Sequence, residues 1–214
     1  MNRTASHIFG PELRGTIARN VKTFSPAQEV WPGLRQAAVT VIIATDRSSS
    51  RASVIVTLRP GSMRRHGAQY ALPGGRLDAG ETALEAAMRE TSEELGLELK
   101  EEDIIGRLDD FPTRSGFCIT PFVAWCEDVT ALTPDASEVA AVYFIPLEEL
   151  ESPAIPRLEP DAHGDQPVMS AYFPTLGHDM FAPTAAILYQ FREIALEART
   201  TRVSHFEQPR FAWK

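Results

Sequence analysis

The sequence predicts an α/β domain, because strand-like and helix-like patterns alternate along the chain. Residues 37–45 are nearly continuous in apolar and β-branched types, as expected of a strand buried on both faces, and 53–58 reads as a second strand. Two segments, 81–95 and 182–199, instead place their apolar residues at helical spacing. Strands interleaved with two long helices are typical of the α/β class.

The other elements complete this prediction. Gly96 is well placed to end the 81–95 helix, and 182–199 reads as a strongly amphipathic helix. The segment 151–180 contains five prolines, two glycines and no helical period, so we expect a long excursion without regular structure. Shorter elements are expected as a helix at 11–20, strands at 106–111, 117–125 and 141–145, and a helical turn at 146–150.

The chain is long enough for one domain with elaborations, since it has 214 residues of which 43% are apolar. We expect residues 37–200 to form this domain, with 151–180 as an insertion. Residues 1–36 would form an N-terminal extension packed on the domain, and 201–214 a C-terminal tail. The excursion could be a lid, a dimer arm or a packed loop. Formation of a homodimer is therefore one of the alternatives.

Charge and composition exclude several classes of partner. A net charge of −8 argues against binding a nucleic-acid polymer, although a local group of cations could still bind a small anion. No apolar run approaches the roughly 20 residues that span a bilayer, so no membrane is expected. Cys118 and Cys126 form neither a zinc motif nor a disulfide framework, which favours a cytoplasmic protein.

The run of 23 residues from Gly75 to Leu97 is the most informative part of the chain. Glu90, Glu93 and Glu94 are spaced so that a helix would project them together. Three adjacent carboxylates repel one another unless a cation neutralises them, and an all-oxygen group suits Mg²⁺ or Mn²⁺. The competing interpretation is a solvated acidic helix face, which is the usual role of glutamate-rich helices.

This run resembles the Nudix box, the signature of the Nudix hydrolases. The pattern reads Gly, five residues, Glu81, seven residues, then Arg89-Glu90-x-x-Glu93-Glu94-x-Gly, and it departs from the family only at Thr91, where an apolar residue is usual. The Thr91 hydroxyl could bond the carbonyl four residues earlier. The resemblance implies a Nudix-type α/β/α sandwich with a mixed β-sheet between the box helix and the C-terminal helix.

The resemblance also implies roles for these residues. Glu90, Glu93 and Glu94 would coordinate Mg²⁺ or Mn²⁺, helped by the carbonyl of Gly74 or Gly75. Glu93 would in addition orient or deprotonate the attacking water. The implied reaction is hydrolysis of a phosphoric anhydride in a small nucleoside diphosphate compound.

Three further residues are candidates around this cluster. Arg89 would pair with Glu81 or Glu93 and hold the acids in shape, the alternative being an ordinary surface ion pair. Glu138 lies in a loop where Nudix enzymes can supply an additional acid, but for an isolated loop glutamate we expect solvation.

The loop before the box bears on the substrate. Arg59, Arg64 and Pro73-Gly74-Gly75 resemble, in spacing, the extra motif of the coenzyme A pyrophosphatase subgroup, whereas Pro60, Ala68 and Leu72 depart from it. Arginines suit a compound with an additional phosphate, and Arg59, Arg64 and Arg65 are therefore the substrate-binding candidates. The alternative is a solvated basic loop.

The implied activity is the cleavage of coenzyme A or its derivatives to 3′,5′-ADP and 4′-phosphopantetheine. A rival is a Nudix hydrolase for ADP-ribose, dinucleoside polyphosphates or nucleotide sugars. A second rival is a catalytically silent Nudix module that only binds a ligand, which would gain little from three mutually repelling acids.

Overall fold

A computed structural model of the chain describes residues 7–27, 31–46, 48–61, 69–161 and 166–209. Within these ranges the helices are α1 (Pro11–Thr23), α2 (Ala83–Leu95), α3 (Leu147–Leu150) and α4 (Thr184–Phe191). The strands are β1 (Arg35–Ala44), β2 (Ser53–Leu58), β3 (Tyr70–Ala71), β4 (Gly74–Arg76), β5 (Ile104–Arg107), β6 (Phe111–Pro112), β7 (Phe117–Trp125), β8 (Ala141–Pro146), β9 (Arg157–Glu159), β10 (Val168–Phe173) and β11 (His178–Phe181).

The main sheet is mixed and is built around β1. Its central order is β3-β2-β1-β7-β5, while β4 pairs with β1, β6 with β7 and β8 with β2. The pair β1 and β7 is parallel along nine residues, from Arg35 opposite Phe117 to Ile43 opposite Trp125. The other pairs in this sheet are antiparallel. The mixed sheet expected from the sequence is therefore confirmed.

Both faces of β1 are buried, which makes the domain a layered sandwich. Val41 and Ile43 belong to a large apolar core that also contains side chains of α1 and α4. Ile42, on the opposite face, packs in a second core with Leu95 of α2. The continuous apolar pattern of β1 follows from this arrangement, because a strand between two helical layers has no solvated side.

Several element bounds agree with the sequence prediction, and the strand predicted at 106–111 does not. β2 and β7 begin and end where the sequence indicated, and α1 extends three residues beyond the expected 11–20. The single strand predicted at 106–111 is instead two short strands, β5 and β6, which pair with different parts of β7.

The expectation of an irregular excursion at 151–180 was wrong. This segment contains β9, β10 and β11, which form a three-stranded antiparallel sheet in the order β11-β10-β9. Met169, Ala171, Phe173 and Met180 are buried in the large core, so the segment is packed on the domain. Period-2 alternation in β10 was the signal for it, and the prolines lie outside the three strands.

The C-terminal helix also differs from its prediction. α4 ends at Phe191 and continues as one wider π-helical turn, Arg192–Leu196. Almost every side of α4 is buried, so it is a core helix and not an amphipathic one. Within the described ranges, no helix combines the length and apolarity needed to cross a membrane.

Two charged residues of the π-helical turn are buried in the core and satisfy each other. Arg192 donates to a Glu193 carboxylate oxygen at 2.8 Å and to the carbonyls of Leu150 at 3.1 Å and Ile155 at 3.0 Å. Paired and hydrogen-bonded charges of this kind tolerate burial, whereas isolated ones do not.

The chain segments outside residues 37–200 contact the sandwich. In α1, Ile17 and Val21 are buried in the large core. The ring of Phe9, which precedes α1, stacks on the Trp125 ring with centroids 4.2 Å apart. Near the C-terminus, Glu207 forms an isolated parallel bridge with Val168 of β10.

Replacing Ile17 by alanine tests the packing of α1. Ile17 is fully buried, so we expect the Ile17→Ala change to lower the free energy of unfolding by about 2–5 kcal/mol, measured by urea denaturation. The matched control on the same helix is Arg19→Ala, which alters an exposed side chain and should change stability by less than about 0.5 kcal/mol. Equal effects of the two substitutions would contradict the packing.

Candidate metal and substrate site

The helix α2 carries the acidic side chains and has well-defined ends. Thr82 caps its start in a capping box, in which the Thr82 hydroxyl accepts from the Glu85 backbone N–H at 3.2 Å and Glu85 accepts from the Thr82 N–H at 2.8 Å. Gly96 ends the helix in the left-handed conformation, with φ of 68°. Thr91 is buried and donates to the Ala87 carbonyl at 2.7 Å, as the sequence predicts.

Three carboxylates converge at one edge of α2, and we name Glu90, Glu94 and Glu138 the acid cluster. One oxygen from each lies within 4.8 Å of the other two. Glu94 is 2% exposed and Glu138 is exposed. Glu138 is therefore solvated, as expected of a loop glutamate, and it also lies close to the two helix acids.

The loop that carries Glu138 is attached to α2. The Asp135 backbone N–H donates to the Glu94 carbonyl at 3.0 Å, and the Asp135 side chain accepts from the Ser137 N–H at 2.8 Å. The Glu138 N–H in turn donates to the Asp135 carbonyl at 3.0 Å. These bonds fix the loop against the helix end, so the backbone of Glu138 is held beside Glu94.

Glu93 lies outside the acid cluster. Its side chain is 57% exposed, and its carboxylate accepts from Arg89 Nη1 at 2.8 Å. The same Nη1 donates to Glu90 at 3.0 Å, while Arg89 Nε donates to Glu81 at 2.8 Å. Arg89 thus binds Glu81 and Glu93 together and also contacts Glu90 of the cluster.

Two glycines allow the acids to approach the sheet. At Gly75, an added Cβ would lie 2.4 Å from Glu90 Oε1, so a side chain there would displace the carboxylate. Gly74 has φ of 146°, and an added Cβ would lie 2.2 Å from the Ala38 carbonyl oxygen. The Gly74 N–H donates to Glu94 Oε2 at 3.2 Å. The backbone of this turn therefore contacts the acids directly.

The electrostatics of the cluster favour a bound cation. Burial raises the pKa of Glu94 to about 7, and Glu90 and Glu138 add repulsion, while Arg59 and the Gly74 N–H oppose the rise. Burial also raises the pKa of Glu90, which Arg89 opposes. Carboxylates that resist ionisation without a partner, arranged as an all-oxygen donor set, fit a hard divalent cation such as Mg²⁺ or Mn²⁺.

The acid cluster opens into a cavity of about 680 Å³. Glu90, Glu94 and Glu138 line one part of it, and other wall residues are Tyr70, Ile187 and a group of arginines. This volume lies in the range of small-molecule sites in proteins. The cavity can therefore hold a nucleotide-sized ligand next to the carboxylates.

Of the three arginines predicted to bind substrate, the structure describes one. Arg59 lines the cavity, but its Nη2 atom lies 3.5 Å from Glu94 Oε1 and 3.4 Å from the Gly74 carbonyl, so its guanidinium is engaged by the acid site. Arg64 and Arg65 lie outside the described residues.

Sequence reasoning missed a second group in the cavity wall, formed by Arg35, Arg76 and Phe117. These residues are far apart in sequence and meet through strand pairing, since Arg35 is opposite Phe117 and Arg76 is opposite Ala37. Only the register of β1 with β4 and β7 could have indicated them.

Comparison with known proteins agrees with this architecture. The NUDIX domain model matches residues 34–172. Nudix hydrolase 3 of Caenorhabditis elegans is 31% identical over 70% of this chain and 65% of its own length. An uncharacterized Nudix hydrolase NudL of Pectobacterium atrosepticum is 34% identical over 54% of this chain and 59% of its own length. The chain thus spans slightly less than two thirds of these relatives.

Among solved structures, a MutT protein of Methanosarcina mazei Go1 matches with a TM-score of 0.45 and 19% identity, covering 57% of this chain and 83% of that one. The family match includes the Gly75–Leu97 run, the mixed sheet and the loop that carries Glu138. Because the domain model covers more than half of the sequence, the chain belongs to the Nudix hydrolase family.

Proposed function

We propose that this protein is a metal-dependent pyrophosphohydrolase that cleaves nucleoside diphosphate-linked compounds. The observation that carries the proposal is the convergence of Glu90, Glu94 and Glu138 at one wall of the cavity. A pure binding module would gain nothing from this convergence, because clustered carboxylates repel a diphosphate unless a cation lies between them.

The acid cluster is the proposed cation holder. Glu90 and Glu94 would supply oxygens from α2 and Glu138 one from its loop, an arrangement suited to Mg²⁺ or Mn²⁺. When bound, such an ion stabilises the charge that develops on the phosphoryl oxygens. Its positive charge would also relieve the cost of ionising the buried Glu94.

Glu93 is the proposed proton acceptor. Its exposed carboxylate is adjacent to the cluster without being part of it, since it shares Arg89 with Glu90. Arg89 donates to Glu93 Oε2, so the other carboxylate oxygen is the proposed acceptor. In the proposed step a water attacks phosphorus, its proton passes to Glu93, and the bond to the bridging oxygen breaks so that the leaving phosphate departs.

Coenzyme A or a derivative is the substrate that we propose, with 3′,5′-ADP and 4′-phosphopantetheine as products. Support comes from the spacing of Arg59, Arg64 and Pro73-Gly74-Gly75 and from the additional cations in the cavity wall. ADP-ribose, dinucleoside polyphosphates and nucleotide sugars share the same diphosphate chemistry. We also propose a reducing, cytoplasmic setting, because Cys118 and Cys126 are buried free thiols.

A substrate panel tests the activity. Coenzyme A, ADP-ribose, a dinucleoside tetraphosphate and a nucleotide sugar would each be incubated with Mg²⁺ or Mn²⁺, and the released products quantified. We expect the highest kcat/KM for coenzyme A, and a loss of about 100-fold or more in kcat on the Glu94→Gln change. The exposed Glu101→Gln change is the control and should leave turnover unchanged. Absence of turnover across the panel would favour a silent binding module.

The composition of the donor set is tested by Mn²⁺ binding. We expect Glu94→Gln and Glu138→Gln each to weaken Mn²⁺ affinity by about tenfold or more, whereas Glu93→Gln should change it by less than about threefold and lower kcat instead. Isothermal titration calorimetry of the four proteins, including the wild type, gives the comparison. If Glu93→Gln weakened Mn²⁺ binding and Glu138→Gln did not, the three helix acids would be the donors instead.

The raised pKa of Glu94 predicts a pH-dependent stability. The native, metal-free protein holds this proton to about pH 7, whereas the ordinary value is 4.5. The unfolded chain therefore releases the proton first, and the free energy of unfolding falls as pH rises from about 5 to 8, by up to about 3 kcal/mol from this group. Glu94→Gln should remove that part of the fall.

Urea denaturation in EDTA at about pH 5 and about pH 8 measures the effect, as the difference between wild type and variant. Glu101→Gln, which changes an exposed carboxylate, should keep the wild-type dependence of the free energy of unfolding on pH. If the free energy of unfolding changed with pH to the same extent in wild type and Glu94→Gln, burial would not raise the pKa of Glu94.

A further inference from the structure

Two arginines lie against one aromatic ring in the cavity wall. The Arg35 Cζ atom lies 4.1 Å from the centroid of the Phe117 ring, and the Arg76 Cζ atom lies 5.0 Å from the same centroid. The three residues come from β1, β4 and β7, which are neighbouring strands of the main sheet. We name them the arginine platform.

No carboxylate in the part of the chain that the structure describes neutralises the charge of the platform. Among the described residues, neither Arg35 nor Arg76 is within ion-pair distance of a carboxylate. Arg114, another arginine of the cavity wall, forms an ion pair with Glu207, and Arg59 is engaged by Glu94. In a chain of net charge −8, two unneutralised cations facing one cavity indicate that an anion binds there.

The contact with Phe117 leaves the hydrogen-bond donors of the arginines available. A guanidinium that lies over a ring uses its face, while its N–H groups point outward from its edge. Among the described residues, the only side-chain hydrogen bond that either arginine donates is a long one, from Arg35 Nη2 to the Ser115 carbonyl at 3.4 Å. Held in this way, the two edges suit the oxygens of a phosphate group, which arginine binds in a bidentate manner.

The platform is separated from the acid cluster along β1. Val39 is opposite Gly74, the residue that contacts Glu94, and Arg35 lies four residues earlier on the same strand. At the rise of an extended strand, this backbone interval corresponds to about 13 Å, and the shorter interval from Val39 to Ala37, which is opposite Arg76, to about 7 Å. A phosphate bound between the two arginines would therefore lie apart from a diphosphate positioned at the acid cluster.

Given the proposed hydrolase activity, we propose that Arg35 and Arg76, supported by Phe117, bind a phosphate monoester that the substrate carries apart from its diphosphate. The substrate class would then be nucleoside diphosphate compounds with an additional phosphate on the nucleoside. Compounds that have only the diphosphate would leave the platform empty and bind more weakly.

Binding of product-like nucleotides tests the platform without any need for turnover. The full chain would be titrated calorimetrically, in Mg²⁺, with adenosine 3′,5′-bisphosphate, 5′-ADP and 5′-AMP. The first two both carry two phosphates and differ in where the second is placed. We expect the bisphosphate to bind about tenfold or more tighter than 5′-ADP.

The Arg35→Gln/Arg76→Gln double variant should lower this preference to about onefold. The matched control is Arg157→Gln. It also removes an exposed arginine, whose Cζ lies 5.4 Å from the Tyr172 ring centroid but which lies outside the cavity wall. It should keep the preference, because it removes one positive charge outside the cavity, whereas the double variant removes two inside it. Circular dichroism verifies that the variants are folded.

Equal affinities of the wild type for the bisphosphate and 5′-ADP would contradict the proposed role of the platform. A preference for the bisphosphate that remains in the folded double variant would contradict it as well. These results are distinguishable from failure of the hydrolase proposal. If the protein prefers the bisphosphate over 5′-ADP but hydrolyses no diphosphate compound, only the hydrolase proposal is contradicted. If it hydrolyses these compounds without that preference, only the proposed role of the platform is contradicted.

Discussion

The side chain of Glu94 places a carboxylate at the buried junction between α2 and the turn that enters β4, where it is 2% exposed. Its carboxylate accepts from the Gly74 N–H at 3.2 Å and from the Arg59 guanidinium at 3.5 Å, and within the described ranges no other donor reaches it. Isolated, a buried charge of this kind would be too costly to keep ionised, so its surroundings must compensate. The glycine turn and the approach of Arg59 meet this requirement, whereas Glu90 and Glu138 add repulsion that a bound cation would relieve.

The acids of the site could be predicted only in part, because helical periodicity fixes angles but not the docking of the helix. Around α2, Glu94 lies about 40° to one side of Glu90 and Glu93 about 60° to the other. Docking selects between these directions, and it brings Glu94 to the sheet while Glu93 stays with Arg89 in solvent. Glu138 joins through a loop bonded to the end of α2, a contact that local sequence does not reveal.

The fold was predictable where burial dictates the residue types. β2 and β7 are buried along nearly their whole length, so their apolar runs mark their ends. In contrast, β9, β10 and β11 are short and lie between proline-containing connections, so their alternation is brief. The π-helical turn after Phe191 was not predictable either, because Arg192 and Glu193 resemble a solvated helix face until their partners in the core are known.

Strand β1 connects the two chemical functions of the cavity. Near its middle, Val39 is opposite Gly74 and hence adjacent to the acid cluster, and at its start Arg35 contributes to the arginine platform. Gly74 and Arg76 pair with β1 and Arg35 belongs to it, so the backbone of the sheet fixes the interval between the turn that contacts Glu94 and the start of the platform. A ligand that spans both must match that distance. In the proposed reaction the acid cluster would define the type of bond that is cleaved, and the platform would restrict which compounds place that bond correctly.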